Sequence, residues 1–554
     1  MVCHPLFGIE FLVPNNDFSQ VLMMQMVNFD YLLSAGGQWL GRLLRISRRL
    51  IRILLSSLLG ALVVIVVLLV TELNNRPDLS VWHTTVLDEE FSADSGLKNF
   101  DEYLKLEERL FEQLDQLVYQ KIQQADRGAI NRYNRGSFSD PGRWPTNWNR
   151  SFVLPAEHPT IAVLLLHGMS DSPYSMRSIA QLLGDRDAYV IGLRVPGHGQ
   201  APSGLLDIEW EDMAAAVRLA MAELRDKSPD SPLYIVGYSN GGALAVHYAL
   251  DTLVDSSLVP VDGVILMSAE IGVTRLAALA KWQQRLGHLL GLEKLAWNDL
   301  LPEYDPWKYG SFALNAGKQA YLITQEIQKQ IGKQEAAGTL GQMPPILAFQ
   351  SVVDATVSAP ALVHNLFERL PRMTPGQGDN RQTLHELVLF DINRYAEIQP
   401  LMKENPTAWI EPMLANEDHE FLLTMVSNED RSNHQLVAAS RMPGSSDIEV
   451  CDTGLQWPDD VYSLSHVALP FPPDDPVYGG KEAGPSPGVD LGLLALRGER
   501  NVLLLPAATM LRLRYNPFYS YMEQRILSFM HFESGPDNPC VISAPVPVPE
   551  VSRQ

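Results

Sequence analysis

Hydrophobic positions along the chain change their spacing twice, and each change marks a different kind of structure. Residues 53–70 carry no charge at all, which predicts a helix that is apolar on every side. Residues 100–122 place apolar side chains at helical spacing with charges between them, which predicts an amphipathic helix packed on a domain. From residue 160 onward, short apolar runs alternate with helical patterns. The order is therefore an apolar helix, an amphipathic helix and a long region of alternating strands and helices.

The alternating region predicts a parallel sheet with helices on both faces. Its strands read as near-continuous apolar runs, which is typical of strands that are covered on both sides. The predicted strands are Ile161–Leu166, Tyr189–Leu193, Leu233–Val236, Val261–Met267, Pro345–Gln350 and Leu387–Phe390. The predicted helices are Pro173–Leu183, Ile208–Leu224, Gly241–Leu250 and Pro360–Leu370. This order indicates an α/β fold class.

Two stretches interrupt the alternation. Residues 271–341 have helical patterning with three tryptophans, and we expect them to form a helical cap over the site. Residues 393–458 are polar and irregular, and we interpret them as a second insertion. Both leave the sheet at strand ends, where open α/β sheets bind their ligands. The sheet domain is expected over 160–533, followed by a Pro-rich tail at 534–554.

The uncharged run at 53–70 is long enough to cross a bilayer. Its length as a helix is roughly 27 Å, close to the thickness of the hydrocarbon core. Five arginines precede it within residues 42–52, and acidic residues predominate after it. The positive-inside rule then predicts a cytoplasmic segment at 1–52 and a periplasmic or extracytoplasmic catalytic domain, as at a bacterial inner membrane. Residues 71–159 are interpreted as a tether, assigned to 71–90, followed by the amphipathic segment.

A cleaved signal peptide is the alternative to this anchor. The apolar run is longer than the usual signal core, and Val70-Thr71-Glu72-Leu73 offers no cleavage site of the small-x-small kind. An uncleaved signal anchor is therefore predicted. The true start of the chain stays open, since Met24 and Met26 are alternatives to the first residue.

Charge and cysteine content narrow the class of partner. The formal net charge is -22, and no basic run follows the first fifty-odd residues, which argues against nucleic acid. The three cysteines lack metal-ligand spacing, so no metal site is expected. Cys451 and Cys540 could pair outside the cytosol, but two unpaired thiols are the simpler expectation.

The sequence Gly237-Tyr238-Ser239-Asn240-Gly241 carries the strongest chemical signal. It has the form Gly-x-Ser-x-Gly and lies between a predicted strand and a predicted helix. On such a sharp turn a serine is lifted clear of the backbone, with its hydroxyl above the sheet. Ser239 is therefore the predicted nucleophile.

Two backbone N–H groups are predicted to hold the oxyanion that forms on the substrate. The first predicted strand ends in His167-Gly168-Met169, and a glycine turn lets the Met169 N–H point toward Ser239. The second donor is the Asn240 N–H, at the start of the helix after the turn. His167 precedes the serine at a strand end, and we expect it to hold the loop by hydrogen bonds.

A serine nucleophile needs a histidine base, and the histidine needs an orienting carboxylate. Asp354 follows the predicted strand at Ile346–Gln350 and precedes a helix, which suits the acid, although a turn or helix-capping aspartate would look alike. His466 lies in a loop of small residues just after the second insertion and is the predicted base. His419, among the charges of the insertion, is the second choice.

These motifs together resemble those of the α/β-hydrolase superfamily. The resemblance rests on Leu164–Met169, Arg194–Gly199 and Gly237–Gly242, and the chain is similar to the branch of monoacylglycerol lipases, lysophospholipases and serine-aminopeptidase-like hydrolases. It implies an eight-stranded core, an acyl-enzyme ester and no cofactor. By position it implies the triad Ser239, Asp354 and His466, with the oxyanion donors Met169 and Asn240. The chain departs from the branch in the length between acid and histidine, usually a few tens of residues and here over a hundred.

The sequence thus predicts a membrane-anchored serine hydrolase that cleaves carboxylic esters, with lipid-like acyl chains favoured. The membrane contact would be the helix at 53–70, which brings the enzyme close to lipid substrates. A peptidase on the same fold is one alternative, for which Glu303 and Asp305 are candidate ligands of an N-terminal amine. An inactive hydrolase-like scaffold at the membrane is the other. Acyl length, head group and oligomeric state stay open.

Overall fold

The computed structural model describes most of the chain, in two compact units at 1–76 and 77–554. The described residues are 47–68, 70–272, 293–373, 384–396, 401–402, 405–494, 505–532 and 540. Three sets of predictions lie partly or wholly outside them. These concern the chain start and most of the cytoplasmic segment, the cap residues 273–292, and the Pro-rich tail apart from residue 540.

The first unit contains helix α1 (Ser47–Asn75), which includes the predicted span at 53–70. Within the described residues it is the one helix that is long and apolar enough to cross a membrane. That statement rests on length and composition, and a signal sequence near the N-terminus would meet the same criteria. The helix therefore gives weak evidence for an anchor and none for its direction.

The second unit begins with two helices that pack on the sheet domain. Helix α2 (Val81–Thr84) buries Trp82, so part of the segment that we expected to be a tether belongs to the compact unit. Helix α3 (Phe100–Leu117) is amphipathic, as its spacing indicates, and the Asn99 side chain caps its N-terminus. The buried Tyr103 hydroxyl of α3 donates to a carbonyl oxygen at the end of the third strand.

A ten-stranded sheet runs through the described part of this unit. Its strands are β1 (Phe152–Leu154), β2 (Ala162–Leu166), β3 (Tyr189–Leu193), β4 (Leu233–Tyr238), β5 (Gly263–Met267), β8 (Ile346–Ser351), β9 (Glu386–Phe390), β10 (Leu422–Asn428), β11 (Gln435–Arg441) and β12 (Ile448–Gln456). Strands β6 (Trp297–Asp299) and β7 (Phe312–Ala313) form a separate pair. The order in the large sheet is β1-β3-β2-β4-β5-β8-β9-β10-β11-β12. In this order the seven neighbouring strands from β3 through β10 are parallel to one another, and β1, β11 and β12 pair in antiparallel fashion. The six predicted strands agree with these bounds to within two residues, and the predicted, mostly parallel sheet is confirmed.

Helices cover both faces of the sheet. They are α4 (Arg177–Gly184), α5 (Trp210–Lys227), α6 (Asn240–Thr252), α7 (Leu314–Ala337), α8 (Ala359–Asn365), α9 (Ile410–Ala415) and α11 (Tyr519–Phe529). The short helix α10 (Ala507–Met510) buries none of its residues. Alternate residues of β2 enter two different cores, because successive side chains of a strand point to opposite faces. Leu164 joins the core beneath α5, α6 and α7, whereas Val163 joins the core beneath α4 and α11.

Helix α7 occupies a different place from the one expected of a cap. It packs against α6 and α5, with Ile323 and Ile327 fully buried in the same core. Gln330 near its middle donates to Asp251 at the end of α6. The helix that the structure describes within the predicted cap therefore flanks the sheet. The apolar spacing was right, but spacing alone does not specify the partner of an apolar face.

The second insertion is a sheet extension rather than an irregular segment. Strand β10 pairs in parallel with β9, and β11 and β12 continue the sheet in antiparallel order. These three strands account for a sheet larger than the eight strands that the family resemblance implies. Strand β12 reads as polar because it has no fully buried position, whereas β10 and β11 each bury several residues.

A disulfide joins the last strand to the C-terminal region. Cys451 on β12 is bonded to Cys540, 89 residues further along the chain. The expectation of two unpaired thiols is therefore wrong. Pairing requires that two distant segments meet in space, which the spacing of cysteines in a sequence cannot show.

We expect thiol counting to detect this pairing. The unfolded, unreduced protein should present one reactive thiol, that of Cys3, and three after reduction, because the chain has three cysteines. Reduction should also lower the free energy of unfolding by about 2–5 kcal/mol, as is typical for a native disulfide. A Cys3→Ser variant is the matched control and should show no thiol before reduction. Three thiols in the unreduced protein would contradict the pairing.

Candidate active site

Ser239 occupies a strained turn between β4 and α6. It has φ 54° and ψ -117°, a backbone conformation that residues other than glycine rarely adopt. Its N–H donates to Met267 C=O at 3.0 Å, and its own C=O accepts from Glu270 N–H at 3.0 Å. Both partners lie at or just after the end of β5, so the neighbouring strand holds the turn in place.

The glycines on either side allow the strand and the helix to approach this closely. A Cβ on Gly237 would lie 2.4 Å from Gly241 O, and a Cβ on Gly241 would lie 2.2 Å from Leu166 O. Neither distance is compatible with a side chain, so only glycine fits at these positions. The Gly-x-Ser-x-Gly pattern is thus explained by backbone packing around Ser239.

Asp354 and His466 meet in space although 112 residues separate them. Asp354 Oδ2 lies 2.9 Å from His466 Nδ1, and the side chains are 0% and 5% exposed. The Asp354 carboxylate also accepts from Thr356 N–H, Val357 N–H and the Gln350 side-chain amide. An acid held by this many donors cannot rotate freely, so it fixes the orientation of the imidazole ring.

These contacts also determine the charge of the acid. Burial alone would raise the pKa of Asp354, but the facing His466 and the hydrogen bonds from Val357 and Thr356 outweigh it. The pKa of Asp354 therefore lies below its ordinary value. The carboxylate is ionised at neutral pH, as a partner of an imidazolium ring must be.

The extension of the sheet explains the long interval before His466. The insertion begins at Asn393 and ends at Tyr462, where Asn393 N–H donates to Tyr462 C=O at 2.7 Å. Ile392 and Ser463 form an antiparallel bridge at the same point. These contacts of Ile392 and Asn393 with Ser463 and Tyr462 form a neck at the start of the insertion, and strands β10 to β12 lie beyond it. His466 follows the neck by three residues. The insertion lengthens the sequence between Asp354 and His466, and the two side chains still meet in space.

The other histidines that follow Asp354 have different partners. His419, the second choice for the base, is buried, and its Nε2 lies 2.9 Å from Met413 C=O. His385 accepts from Ile346 N–H, and burial lowers the pKa of His385 to about 4. His364 lies 2.7 Å from Glu368 on the surface. Among the histidines of the described chain, His466 is the one that contacts Asp354.

The two predicted oxyanion donors lie at the ends of β2 and β4. Met169 follows Gly168, and a Cβ on Gly168 would lie 3.1 Å from Ser239 Cβ, so this turn passes directly beside the serine. Asn240 is the first residue of α6. Neither N–H makes a backbone hydrogen bond within the described residues, as expected of groups kept for a ligand.

His167 supports this turn from below. Its Nε2 accepts from Val195 N–H at 3.0 Å, and its Nδ1 lies 2.8 Å from Gly168 C=O. Burial lowers the pKa of His167 to about 3, so the ring is neutral. The predicted structural role of His167 is confirmed.

Tyr238 links the turn that carries Ser239 to His466. Its ring centroid lies 5.2 Å from that of His466, and its hydroxyl donates to His466 C=O at 3.3 Å. A groove of about 1880 Å³ borders Asp354 and His466, but Ser239 is not among its described lining residues. The groove therefore does not mark the position of a substrate at the serine.

Sequence reasoning missed two charged residues near Ser239. Glu270 is buried three residues after β5, and burial raises the pKa of Glu270 to about 7. Lys308 approaches the Met169 turn from the segment that was interpreted as cap. Neither has a recognisable motif, and a charged residue after a strand is the weak signal that could have indicated Glu270. Within the described residues, no group of three or more His, Cys, Asp or Glu could hold a metal ion.

Residues 161–297 match the family model described as alpha/beta hydrolase fold. A Haemophilus influenzae protein, provisionally named 2-succinyl-6-hydroxy-2,4-cyclohexadiene-1-carboxylate synthase, is 26% identical over 33% of this chain and 72% of its own. The thermostable monoacylglycerol lipase of a Bacillus species is 26% identical over 24% of this chain, a match that spans 52% of the lipase. The solved monoacylglycerol lipase of Paleococcus ferrophilus is 20% identical, covering 40% of this chain and 83% of its own, with a TM-score of 0.30.

The crossing of β4 and α6 generates a test of the site's geometry. Gly241→Ala places a methyl group against Leu166 C=O. It should lower the free energy of unfolding by about 1–3 kcal/mol, as is typical of overpacking. Denaturant unfolding followed by tryptophan fluorescence measures the change. Gly128→Ala is the matched control, because the nearest atom to its Cβ is 4.0 Å away. Equal unfolding midpoints for the two variants would contradict the close approach.

Proposed function

Because the chain belongs to the α/β-hydrolase superfamily, we propose that it is a serine hydrolase that cleaves carboxylic esters through an acyl-enzyme on Ser239. The observation that carries the proposal is the 2.9 Å contact between Asp354 and His466 beside the strained turn of Ser239. Three distant segments of the chain supply these residues at one edge of the sheet. A packing role alone does not require a buried acid, a histidine and a strained serine to converge.

The proposed reaction has two similar halves. Ser239 Oγ bonds to the ester carbonyl carbon while its proton passes to His466 Nε2, and the carbonyl electron pair moves onto oxygen. The Met169 and Asn240 N–H groups bind this oxyanion. The pair then returns, the bond to the alcohol oxygen breaks, and His466 gives that oxygen the proton. Water attacks the acyl-enzyme in the same way and releases the acid, while Asp354 stays ionised throughout.

Several features favour an ester of a lipid-like acyl chain as the substrate. One relative of this chain is a monoacylglycerol lipase by name, although the match covers about half of that enzyme. The apolar helix α1 would hold the enzyme at a bilayer, where esters of long acyl chains are concentrated. The substrate class is therefore proposed as a small-molecule ester or lipid.

The carboxylates that a peptidase would need are occupied. Glu303 accepts from the backbone N–H groups of Gly310 and Ser311, and Asp305 accepts from the Tyr478 hydroxyl at 2.6 Å. Both are buried in turns that they stabilise themselves. An N-terminal amine would have to displace these partners, so the ester is the better supported substrate.

The anchor and its direction are part of the same proposal. The arginines before the apolar run at 53–70 favour a cytoplasmic N-terminus and a catalytic domain outside the cytoplasm. The Cys451–Cys540 disulfide supports that side independently, since disulfides persist in oxidising compartments and are rare in the cytosol. The periplasmic side of a bacterial inner membrane meets both conditions.

Labelling with a fluorophosphonate tests the nucleophile. The wild-type protein should be labelled and should hydrolyse p-nitrophenyl esters, whereas Ser239→Ala should lose both, because the attacking oxygen is absent. Asp354→Asn should keep the fold and lower kcat by about 10⁴-fold, the effect of a misoriented base. The measurements are the labelled fraction and the rate of p-nitrophenol release.

Ser257→Ala is the matched control, since Ser257 is exposed and its side chain bonds only to Asp255 among the described residues. Labelling that persists in Ser239→Ala would overturn the nucleophile, and full turnover in His466→Ala would move the base elsewhere. Aminoacyl amides hydrolysed faster than esters of any chain length would favour the peptidase instead.

Protease treatment of spheroplasts tests the anchor. Intact cells should protect the catalytic domain and spheroplasts should expose it, while the N-terminal segment stays protected by the inner membrane. The protein should also remain in the membrane pellet at alkaline pH, as a spanning helix does. Replacing Arg48, Arg49 and Arg52 by glutamate should reverse or scramble the orientation. A protein released by alkali without detergent would contradict the anchor.

A further inference from the structure

Two consecutive residues, Lys308 and Tyr309, hold the turn that carries Met169. Tyr309 N–H donates to Ser170 C=O at 2.8 Å, and Lys308 Nζ lies 3.4 Å from Asp171 Oδ2. Ser170 itself has φ 58°, a conformation that costs a residue other than glycine about 1–3 kcal/mol. The two residues that follow the predicted oxyanion donor are therefore both held by a distant segment, and Ser170 is held in a strained conformation.

The contact with Lys308 involves a buried charge. The Asp171 side chain is 3% exposed, and one of its oxygens accepts from Ser172 N–H at 2.8 Å. Burial raises the pKa of Asp171, and the Lys308 ammonium opposes that rise. Lys308 is the cation that contacts Asp171 within the described residues. Removing one member of such a pair leaves an uncompensated charge in a dry environment, which is strongly destabilising locally.

Aromatic rings surround the ammonium group on its other sides. Lys308 Nζ lies 4.8 Å from the ring centroid of Phe471, 5.4 Å from that of Tyr238 and 5.6 Å from that of Tyr478. A cation over aromatic faces is attracted by them, and the rings restrict where it can move. These contacts therefore hold the ammonium at one position instead of allowing it to move among several rotamers.

The position of these rings connects Lys308 to each part of the proposed site. Tyr238 immediately precedes Ser239, and its ring also contacts His466. Phe471 lies in the loop that continues from His466. The same ammonium therefore contacts the turn that carries Ser239 and the loop that carries His466. Through Asp171 it also contacts the turn that carries Met169, which we call the oxyanion turn.

We propose that Lys308 is a positioning residue that keeps the Met169 N–H directed at the substrate oxygen by anchoring Asp171. The inference rests on the proposed function, because it assigns a purpose to a turn whose donor acts on an oxyanion. Lys308 does not touch the reacting atoms in this scheme. It acts through Asp171 and Ser170, so its loss should affect the transition state more than substrate binding.

The test uses the full-length protein in detergent with four variants. Lys308→Met keeps the length and apolar stem, Lys308→Arg keeps the charge, Asp171→Asn removes the anion, and the double variant Lys308→Met/Asp171→Asn removes both charges. For each we measure kcat and KM on a p-nitrophenyl ester and the affinity for phenylboronic acid, which forms a tetrahedral adduct with serine. Thermal unfolding reports whether each variant is folded. Lys329→Met is the matched control, since Lys329 is exposed on α7 and pairs with Glu326.

Lys308→Met should lower kcat by about 10- to 100-fold, somewhat less than the loss of a whole oxyanion donor. Its KM should change by less than about threefold, and boronate affinity should fall together with kcat, because both depend on the oxyanion turn. Lys308→Arg should retain most of the activity. The double variant should recover part of the loss seen in Lys308→Met, because it no longer buries a lone charge, yet it should stay below the wild type.

Unchanged kcat in Lys308→Met would overturn the proposal, and so would a raised KM with kcat intact, which would make Lys308 a substrate ligand. If Lys308→Met does not fold, the double variant decides, and wild-type kcat in that variant would also overturn the role. A loss in Lys308→Arg as large as in Lys308→Met would contradict the charge pairing. Failure of the proposed function itself is distinguishable, since the wild type would then show no turnover, or turnover would persist in Ser239→Ala, whatever the Lys308 variants do.

Discussion

The contact between the end of β4 and the start of α6 constrains the edge of the sheet at which Ser239 lies. The Cα atoms of Gly237 and Gly241 lie where any Cβ would overlap backbone atoms, so helix and strand meet without side chains between them. The chain can turn within that space only if Ser239 adopts φ 54°. The strain is sustained because Met267 at the end of β5 accepts from the N–H of the serine, and Glu270 just after β5 donates to its C=O. The position of Ser239 follows from backbone packing, before any proposed catalytic partner is considered.

The proposed partners of Ser239 come from loops that are each held by a different set of contacts. Asp354 is fixed by backbone donors and by Gln350, and His466 is delivered by a neck that closes at Asn393 and Tyr462. The Met169 turn depends on the Lys308–Tyr309 segment. Because these sets of contacts do not share residues, the strands beyond the neck can vary in length while the site keeps its geometry. A ten-stranded sheet and a compact catalytic edge are thus compatible in one domain.

Sequence patterns predicted the parts of this fold in which local physics determines the outcome. Strands buried on both faces appear as apolar runs, so the bounds of β3 were found to the residue and those of β2 to within one. The Gly-x-Ser-x-Gly turn was recognisable because close backbone packing requires its glycines. What sequence could not supply was the partner of each surface. The apolar face of α7 packs on α6 instead of covering the site, and β12 reads as a polar loop because none of its residues is fully buried. The contacts of Lys308 involve four separate segments, and no periodicity connects them.

Two unrelated physical arguments support the proposed location of the sheet domain outside the cytoplasm. The first is the free energy of moving arginines across a bilayer, which favours leaving the basic flank of α1 on the cytoplasmic side. The second is redox chemistry, because a Cys451–Cys540 bond survives where thiol reductants are scarce. The charge distribution fits both. The net charge of -22 belongs entirely to the chain after α1, because residues 1–75 carry more basic than acidic side chains. If the proposed anchor holds this acidic domain at a bilayer, anionic lipid would repel the domain rather than bind it.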